Sequence, residues 1–278
     1  MNSTVKLIGL DMDGTLLNDA VELTPYTKNV LQQATAQGIE VAAITGRPLT
    51  AIPKEFLEIP GIRFAISANG GHIRNIVDNT TPYAALISQS TLFQLMDLFA
   101  EYDSMPEVYK DGQAYLNHEF YPKLEKYLRN DLFREVFRGT RIFIDDAKAI
   151  IHECSKGMEK IDALFSSLDD QADCRKRIEE RFHDVKITGS AGYGLEITRA
   201  DANKGTGLLK LAEILGIKPE ETMAIGDAEN DIDMVTAAGI GIAMKNGSDE
   251  IKAVADYISD EDNNHDGAAK MIEKLALK

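Results

Sequence analysis

Val5-Lys6-Leu7-Ile8-Gly9-Leu10-Asp11-Met12-Asp13-Gly14-Thr15 is a short apolar run that stops abruptly at two carboxylates. The run from Val5 to Leu10 suits a buried strand. Thr24-Pro25 then offers an N-cap and a proline at the first helical position, and Gly38 offers the stop. Between them Val30, Leu31 and Ala34 recur at helical spacing. A second apolar run, Val41 to Ile44, ends in Thr45-Gly46-Arg47-Pro48, and a third, Phe64 to Ala68, ends in Asn69-Gly70-Gly71. Strand, helix, strand and strand in this order point to a parallel sheet.

The C-terminal part repeats the style. Leu208 to Leu215 reads as a helix closed by Gly216, Thr222 to Ile225 as a strand ending in Gly226-Asp227, Ile240 to Met244 as a strand, and Gly267 to Leu277 as a last helix. The middle reads differently. Ser90 to Tyr102 carries Leu92, Leu95, Met96 and Phe99 on one helical face, which reads as core. Asp111-Gly112 between Glu107–Lys110 and Gln113–Leu116 is a two-residue hairpin signal. Arg141 to Ile144, Ala149 to Cys154, Val185 to Thr188 and Leu195 to Thr198 read as strands, with helices over Met158 to Leu168 and Ala172 to Phe182. The fold expected is a doubly wound, Rossmann-like parallel α/β core over 1–82 and 196–278. An α+β unit over 83–195 is inserted into it.

Ligands of such sheets collect at the carboxyl ends of the strands, and the polar clusters of this sequence fall there. Asp11 and Asp13 follow the first strand, Thr45 the second, Asn69 the third, and Asp227, Asn230 and Asp231 the strand over Met223 to Ile225. Lys204 starts a helix just after the inserted unit. Four or more carboxylates converging on one crevice repel one another unless a cation neutralises them. Oxygen-only ligands favour a hard ion such as Mg²⁺. Lys204 and the Thr45 hydroxyl are placed to bind phosphoryl oxygens, and Gly14 lets backbone approach them closely.

Asp11-Met12-Asp13-Gly14-Thr15, Thr45-Gly46-Arg47, Lys204-Gly205 and Gly226-Asp227-Ala228-Glu229-Asn230-Asp231 resemble the four ordered motifs of the haloacid dehalogenase superfamily. Ser67-Ala68-Asn69-Gly70-Gly71, the middle insertion and Asp266-Gly267 resemble its Cof-type sugar-phosphatase branch. The resemblance implies that the insertion is a substrate-selecting cap. It implies that Asp11 attacks phosphorus to form an aspartyl-phosphate, with Asp13 as acid and then base. It also implies that Asp11, the backbone carbonyl of Asp13, and Asp227 hold Mg²⁺, with Asp231 supporting those ligands from behind or acting through water. Thr45, Gly46, Lys204 and Asn230 then serve the phosphoryl group, with Asn69 beside them. Arg47 either touches substrate phosphate or pairs with a carboxylate. The activity implied is hydrolysis of small phosphate monoesters, sugar phosphates or similar metabolites. Two rivals are a phosphomutase built on the same core and a non-catalytic phosphometabolite binder. The intact Asp11, Asp13, Lys204 and Asp227 speak against the binder.

A formal net charge of -15 argues against nucleic acid as a partner. No apolar run reaches the length that spans a bilayer, and Met1 to Lys6 lacks the features of a leader, so a cytoplasmic protein is expected. Oligomeric state is not legible. Cys154 and Cys174 have neither zinc nor disulfide-framework spacing and read as reduced thiols. Asp262, Asn264, Asp266, Gly267 and Glu273 match the spacing of a calcium-binding hand. The match is rejected because Ala255 to Ser259 reads as a strand end, not an entering helix.

Overall fold

The computed structural model describes residues 5–190 and 193–278. Met1–Thr4, from the segment read above for a leader, and residues 191–192 of the expected insertion lie outside them. Five strands come first: β1 (Leu7–Leu10), β2 (Glu40–Ile44), β3 (Phe64–Ser67), β4 (His72–Asn75) and β5 (Thr80–Ala84). Six follow in the middle of the chain: β6 (Ser104–Lys110), β7 (Gln113–Asn117), β8 (Arg141–Ile144), β9 (Lys160–Phe165), β10 (Val185–Ser190) and β11 (Gly194–Arg199). Three close it: β12 (Thr222–Gly226), β13 (Ile240–Ala243) and β14 (Tyr257–Ile258).

The first sheet has eight strands in the order β14-β13-β12-β1-β2-β3-β4-β5. It is parallel from β14 through β3, and β4 runs antiparallel to β3. Leu7 stands opposite Thr222 on one side and Glu40 on the other, so β1 is central. Every residue of β1, β2 and β12 is buried, as strands covered on both faces require. Leu7, Ala42, Ile44 and Phe64 pack with Leu208, Leu211, Met234, Val235 and Ile251 of the helices Lys204–Leu215, Ile232–Ala237 and Asp249–Val254. Helices Pro25–Ala36 and Gly267–Leu275 pack on each other as a second set. Each fully buried aliphatic side chain here contributes about 1.5–3 kcal/mol. Strands β4 and β5 were not legible in the sequence, whereas the edge strand β14 falls within the Ala255 to Ser259 stretch read as a strand end.

The second sheet has six strands in the order β10-β11-β9-β6-β7-β8. Asp111 and Gly112, both at positive φ, turn the β6–β7 hairpin, with Lys110 opposite Gln113. Leu92, Leu95, Met96 and Phe99 of helix Gln89–Phe99 pack on Val108, Ile161, Ala163, Phe165, Leu195 and Ile197. Two middle elements differ from expectation. Ala149 to Cys154 lies mostly in a helix, Ala147–Glu153, because Asp146 caps it through the Lys148 amide and Ala147 and Ile151 share its buried face. The expected helix over Met158 to Leu168 is instead β9, central in its sheet and buried throughout, and the helix begins at Leu168.

The chain divides into two compact units. One comprises Met1–Arg47, Ile52–Tyr83 and Asn203–Lys278, the other Pro48–Ala51 and Ala84–Ala202. The second unit runs past residue 195 because β11 pairs with both β10 and β9. Among the described residues no helix is long and apolar enough to cross a membrane.

Candidate active site

Because β1, β2, β3 and β12 are parallel, the residues after them lie along one edge of the first sheet. Asp11 follows β1 and is 5% exposed. Lys204 is the first residue of its helix, whose N-cap Asn203 accepts from the Thr206 amide while Thr206 answers the Asn203 amide. That cap fixes the helix start, and the Lys204 side chain is 1% exposed. Its Nζ donates to Asp11 Oδ1 at 2.6 Å and to Asp231 Oδ1 at 2.5 Å. Asp231 Oδ2 accepts from the amides of Asp227 at 3.0 Å and Ala228 at 3.1 Å. Asp231 therefore holds both the lysine and the turn that presents Asp227.

Asp227 sits against the loop after β1. Thr15 Oγ1 donates to its Oδ1 at 2.9 Å, and Asn246 Nδ2 donates to the Gly14 carbonyl at 2.7 Å. Oxygens of Asp11, Asp227 and Asp231 lie within 4.8 Å of one another. Burial and then the negative charge of Asp231 push the Asp11 carboxyl well up, and Lys204 opposes them. Burial and Asp231 likewise push Asp227 up to about 6, against the Thr15 hydrogen bond. Burial disfavours the Lys204 ammonium, but Asp11 and Asp231 outweigh it and hold the ammonium above its ordinary range. One ammonium among three carboxylates leaves negative charge uncompensated. This donor set, all oxygen and all acidic, fits a hard divalent cation.

The loops after β2 and β3 are tied together. The Asn69 amide donates to the Thr45 carbonyl at 3.0 Å and the Ala68 amide to the Arg47 carbonyl at 3.3 Å. Ala68, Asn69 and Gly70 all have positive φ, a rare run that sets the direction of Asn69. A Cβ on Gly70 would meet the Asn203 carbonyl at 2.0 Å, so only glycine lets this loop touch the start of the Lys204 helix. Asn69 Oδ1 accepts from Asn230 Nδ2 at 3.3 Å. Thr45 is buried, and its Oγ1 accepts from the Arg47 amide at 3.1 Å; Gly46 between them is half-buried.

Two contacts bear on the residues read as the site. The Arg47 guanidinium pairs with Asp13, Nε to Oδ2 at 2.7 Å and Nη2 to Oδ1 at 2.5 Å, so of the two uses weighed for it the carboxylate pair is the one present. Asp231, grouped with the metal ligands, already accepts on both oxygens. The sequence reading missed Thr15 and Asn246. Thr15 closes the first motif and stood in view, whereas Asn246 follows β13 with no pattern around it. The calcium-hand spacing has another use: Asp266 accepts from the hydroxyls of Thr27 and of Thr24, the residue that caps helix Pro25–Ala36.

Three comparisons bear on this arrangement. Residues 8–272 match the family model of the haloacid dehalogenase-like hydrolases. The phosphatase YwpJ of Bacillus subtilis strain 168 is 28% identical, over 98% of this chain and 100% of its own. From the same strain, the 5-amino-6-(5-phospho-D-ribitylamino)uracil phosphatase YwtE is 32% identical over 98% of both chains. A solved haloacid dehalogenase-like hydrolase from B. subtilis superposes with a TM-score of 0.82 at 29% identity, covering 98% of this chain and 100% of its own.

Proposed function

The chain belongs to the haloacid dehalogenase-like hydrolases and is a phosphatase, and we propose that it cleaves small phosphate monoesters through an aspartyl-phosphate on Asp11. The observation that carries the reading is the buried Asp11–Lys204–Asp231 chain beside Asp227, with Asp13 two residues from the nucleophile. Asp11 attacks phosphorus in line, Asp13 protonates the leaving oxygen, and Asp13 then deprotonates the water that frees the phosphate. Lys204, Thr45 and Asn230 support the phosphoryl oxygens, Asn69 orients Asn230, and Gly46 gives them room. Asp11, the Asp13 backbone carbonyl and Asp227 would hold Mg²⁺, with Asp231 reaching it through water. Bound there, Mg²⁺ offsets the clustered negative charge and that of the phosphate.

Substrates of this proposal are phosphorylated sugars, polyols or similar metabolites, in keeping with the phosphoribityl compound in the name of YwtE. The unit of Ala84–Ala202 is proposed as the cap that selects among them. A phosphomutase would need basic side chains for a second phosphate. Four arginines of that unit are engaged in ion pairs: Arg134 pairs with Asp131, Arg141 with Glu107, Arg175 with Glu179 and Arg177 with Glu101. Their engagement favours hydrolysis. The test is a panel of metabolite phosphates with Mg²⁺, with and without chelator, followed by phosphorus NMR. Free phosphate should accumulate, stop with chelator, and vanish for Asp11→Asn. Bisphosphate-dependent isomerisation with little free phosphate would favour the mutase, and full activity after chelation would remove the metal from the reading.

A further inference from the structure

We infer that Arg47 is a positioning residue for Asp13 and not a holder of the substrate's phosphate. The inference rests on the phosphatase chemistry proposed above and gives the two site cations separate tasks. Lys204 serves Asp11 and Asp231, and Arg47 serves Asp13.

Two near-parallel hydrogen bonds, at 2.7 and 2.5 Å, take both oxygens of the Asp13 carboxyl group. This fork-on-fork pairing fixes the plane of the carboxyl group as well as its place. The partners are unequally free, since the Arg47 side chain is 11% exposed and that of Asp13 41%. Arg47 is the anchored member. Its amide donates to Thr45 Oγ1 and its carbonyl accepts from the Ala68 amide, which refers the guanidinium to the ends of β2 and β3. Asp13 stands in the loop after β1, and its backbone bridges to Leu17. A half-exposed ion pair adds little stability. What it adds here is aim.

In the first half-reaction an Asp11 oxygen bonds to phosphorus as the bond to the leaving oxygen breaks. That oxygen keeps the electron pair and takes the proton of the Asp13 carboxyl group. Asp13 is left as a carboxylate, the species that accepts a guanidinium on both oxygens. In the second half-reaction water oxygen bonds to phosphorus, its proton passes to Asp13, and the Asp11 carboxylate leaves. A protonated Asp13 keeps one acceptor oxygen for the guanidinium and the carboxylate accepts on both, so Arg47 aims Asp13 in the transfer to the leaving oxygen as well as in the transfer from water.

The experiment compares wild type, Arg47→Ala, Arg47→Lys, Asp13→Asn and the double variant Arg47→Ala/Asp13→Asn. The substrates are 4-nitrophenyl phosphate, whose leaving group needs no proton, and a sugar-alcohol phosphate, whose leaving group does. Arg47→Ala should lower kcat on the alcohol phosphate on the order of 10- to 100-fold, and on the aryl phosphate by less than about 3-fold. Inhibition by inorganic phosphate should stay within about 3-fold of wild type, and the double variant should be no worse than Asp13→Asn. Arg47→Lys keeps the charge but not the fork, so it should show the same substrate split, and it stands in should the alanine variant not fold. Equal losses on both substrates with weaker phosphate inhibition, or additive losses in the double variant, would overturn the assignment. Wild-type protein that releases phosphate from neither substrate would instead sink the proposed function and this inference with it.

Discussion

Lys204 Nζ lies 2.5 Å from Asp231 Oδ1, and the two side chains are 1% and 0% exposed. A fully buried ammonium needs its partners more than a surface one does, because water cannot replace them. Asp231→Ala removes one partner of Lys204 and leaves the amides of Asp227 and Ala228 without an acceptor. The variant should lose about 3–5 kcal/mol of stability in urea unfolding. A loss under about 1 kcal/mol would mean that Asp11 alone satisfies the lysine.

Asp227 should behave in the opposite way. Burial and the Asp231 charge push its carboxyl up to about 6 from an ordinary value of 3.8. A carboxyl raised by folding costs nothing below the unfolded value and its full amount above the folded one. Metal-free Asp227→Asn should therefore melt higher than wild type at pH 7.5 and show no gain at pH 3.5. With Mg²⁺ added the order should narrow or reverse, since wild type alone keeps the complete donor set. Scanning calorimetry at the two pH values checks the sign. A variant that melts lower at pH 7.5 without metal would contradict the strain assigned to Asp227.

The parts of this site legible in the sequence are those written locally. Asp11 and Asp13 end a buried run, and Lys204 follows a capping Asn203, so strand ends and a helix start announce them. What joins them is not local. Arg47 meets Asp13 across 34 positions and Thr15 meets Asp227 across 212, and no spacing rule spans such distances. The misread middle elements have a related cause. Lys160 and Asp162 in β9 are charged residues that a buried strand does not ordinarily carry, yet both are buried, and Lys160 pairs with Asp162 at 2.9 Å and Glu196 at 3.1 Å. Only the neighbouring strand β11, which supplies Glu196, makes that strand possible.

Two glycines test how the Lys204 helix is seated. Gly70 has φ +90 and a Cβ there would stand 2.0 Å from the Asn203 carbonyl oxygen. Gly216, which closes the same helix, has φ +67 and open space around it. Gly216→Ala meets only the left-handed backbone cost, about 1 kcal/mol, and should leave kcat unchanged. Gly70→Ala must also displace the helix start that carries Lys204. It should lose more than about 2 kcal/mol and at least about tenfold in kcat. Indistinguishable melting and activity for the two variants would show that the loop after β3 yields without moving Lys204.

Glu159 makes a last prediction, away from the site. It is 3% exposed, its Oε1 accepts from the Asp111 amide at 2.7 Å, and its Oε2 has no hydrogen-bond partner among the described residues. Burial is the main cause that pushes its carboxyl from 4.5 up to about 7, and the amide hydrogen bonds oppose the rise only in part. Since folding raises this value, the associated stability is complete below pH 4.5 and is lost as the pH climbs through 7. The loss amounts to on the order of 3 kcal/mol. Glu159→Gln keeps an acceptor for Asp111 and cannot ionise. Its unpaired amide lowers stability by the same amount at every pH, so the informative quantity is the change between pH 5 and pH 8. Urea unfolding at those two values should show wild type losing more stability than Glu159→Gln, by roughly 2 kcal/mol. Parallel losses in the two proteins would show that Glu159 is ionised without cost, and that water reaches its second oxygen.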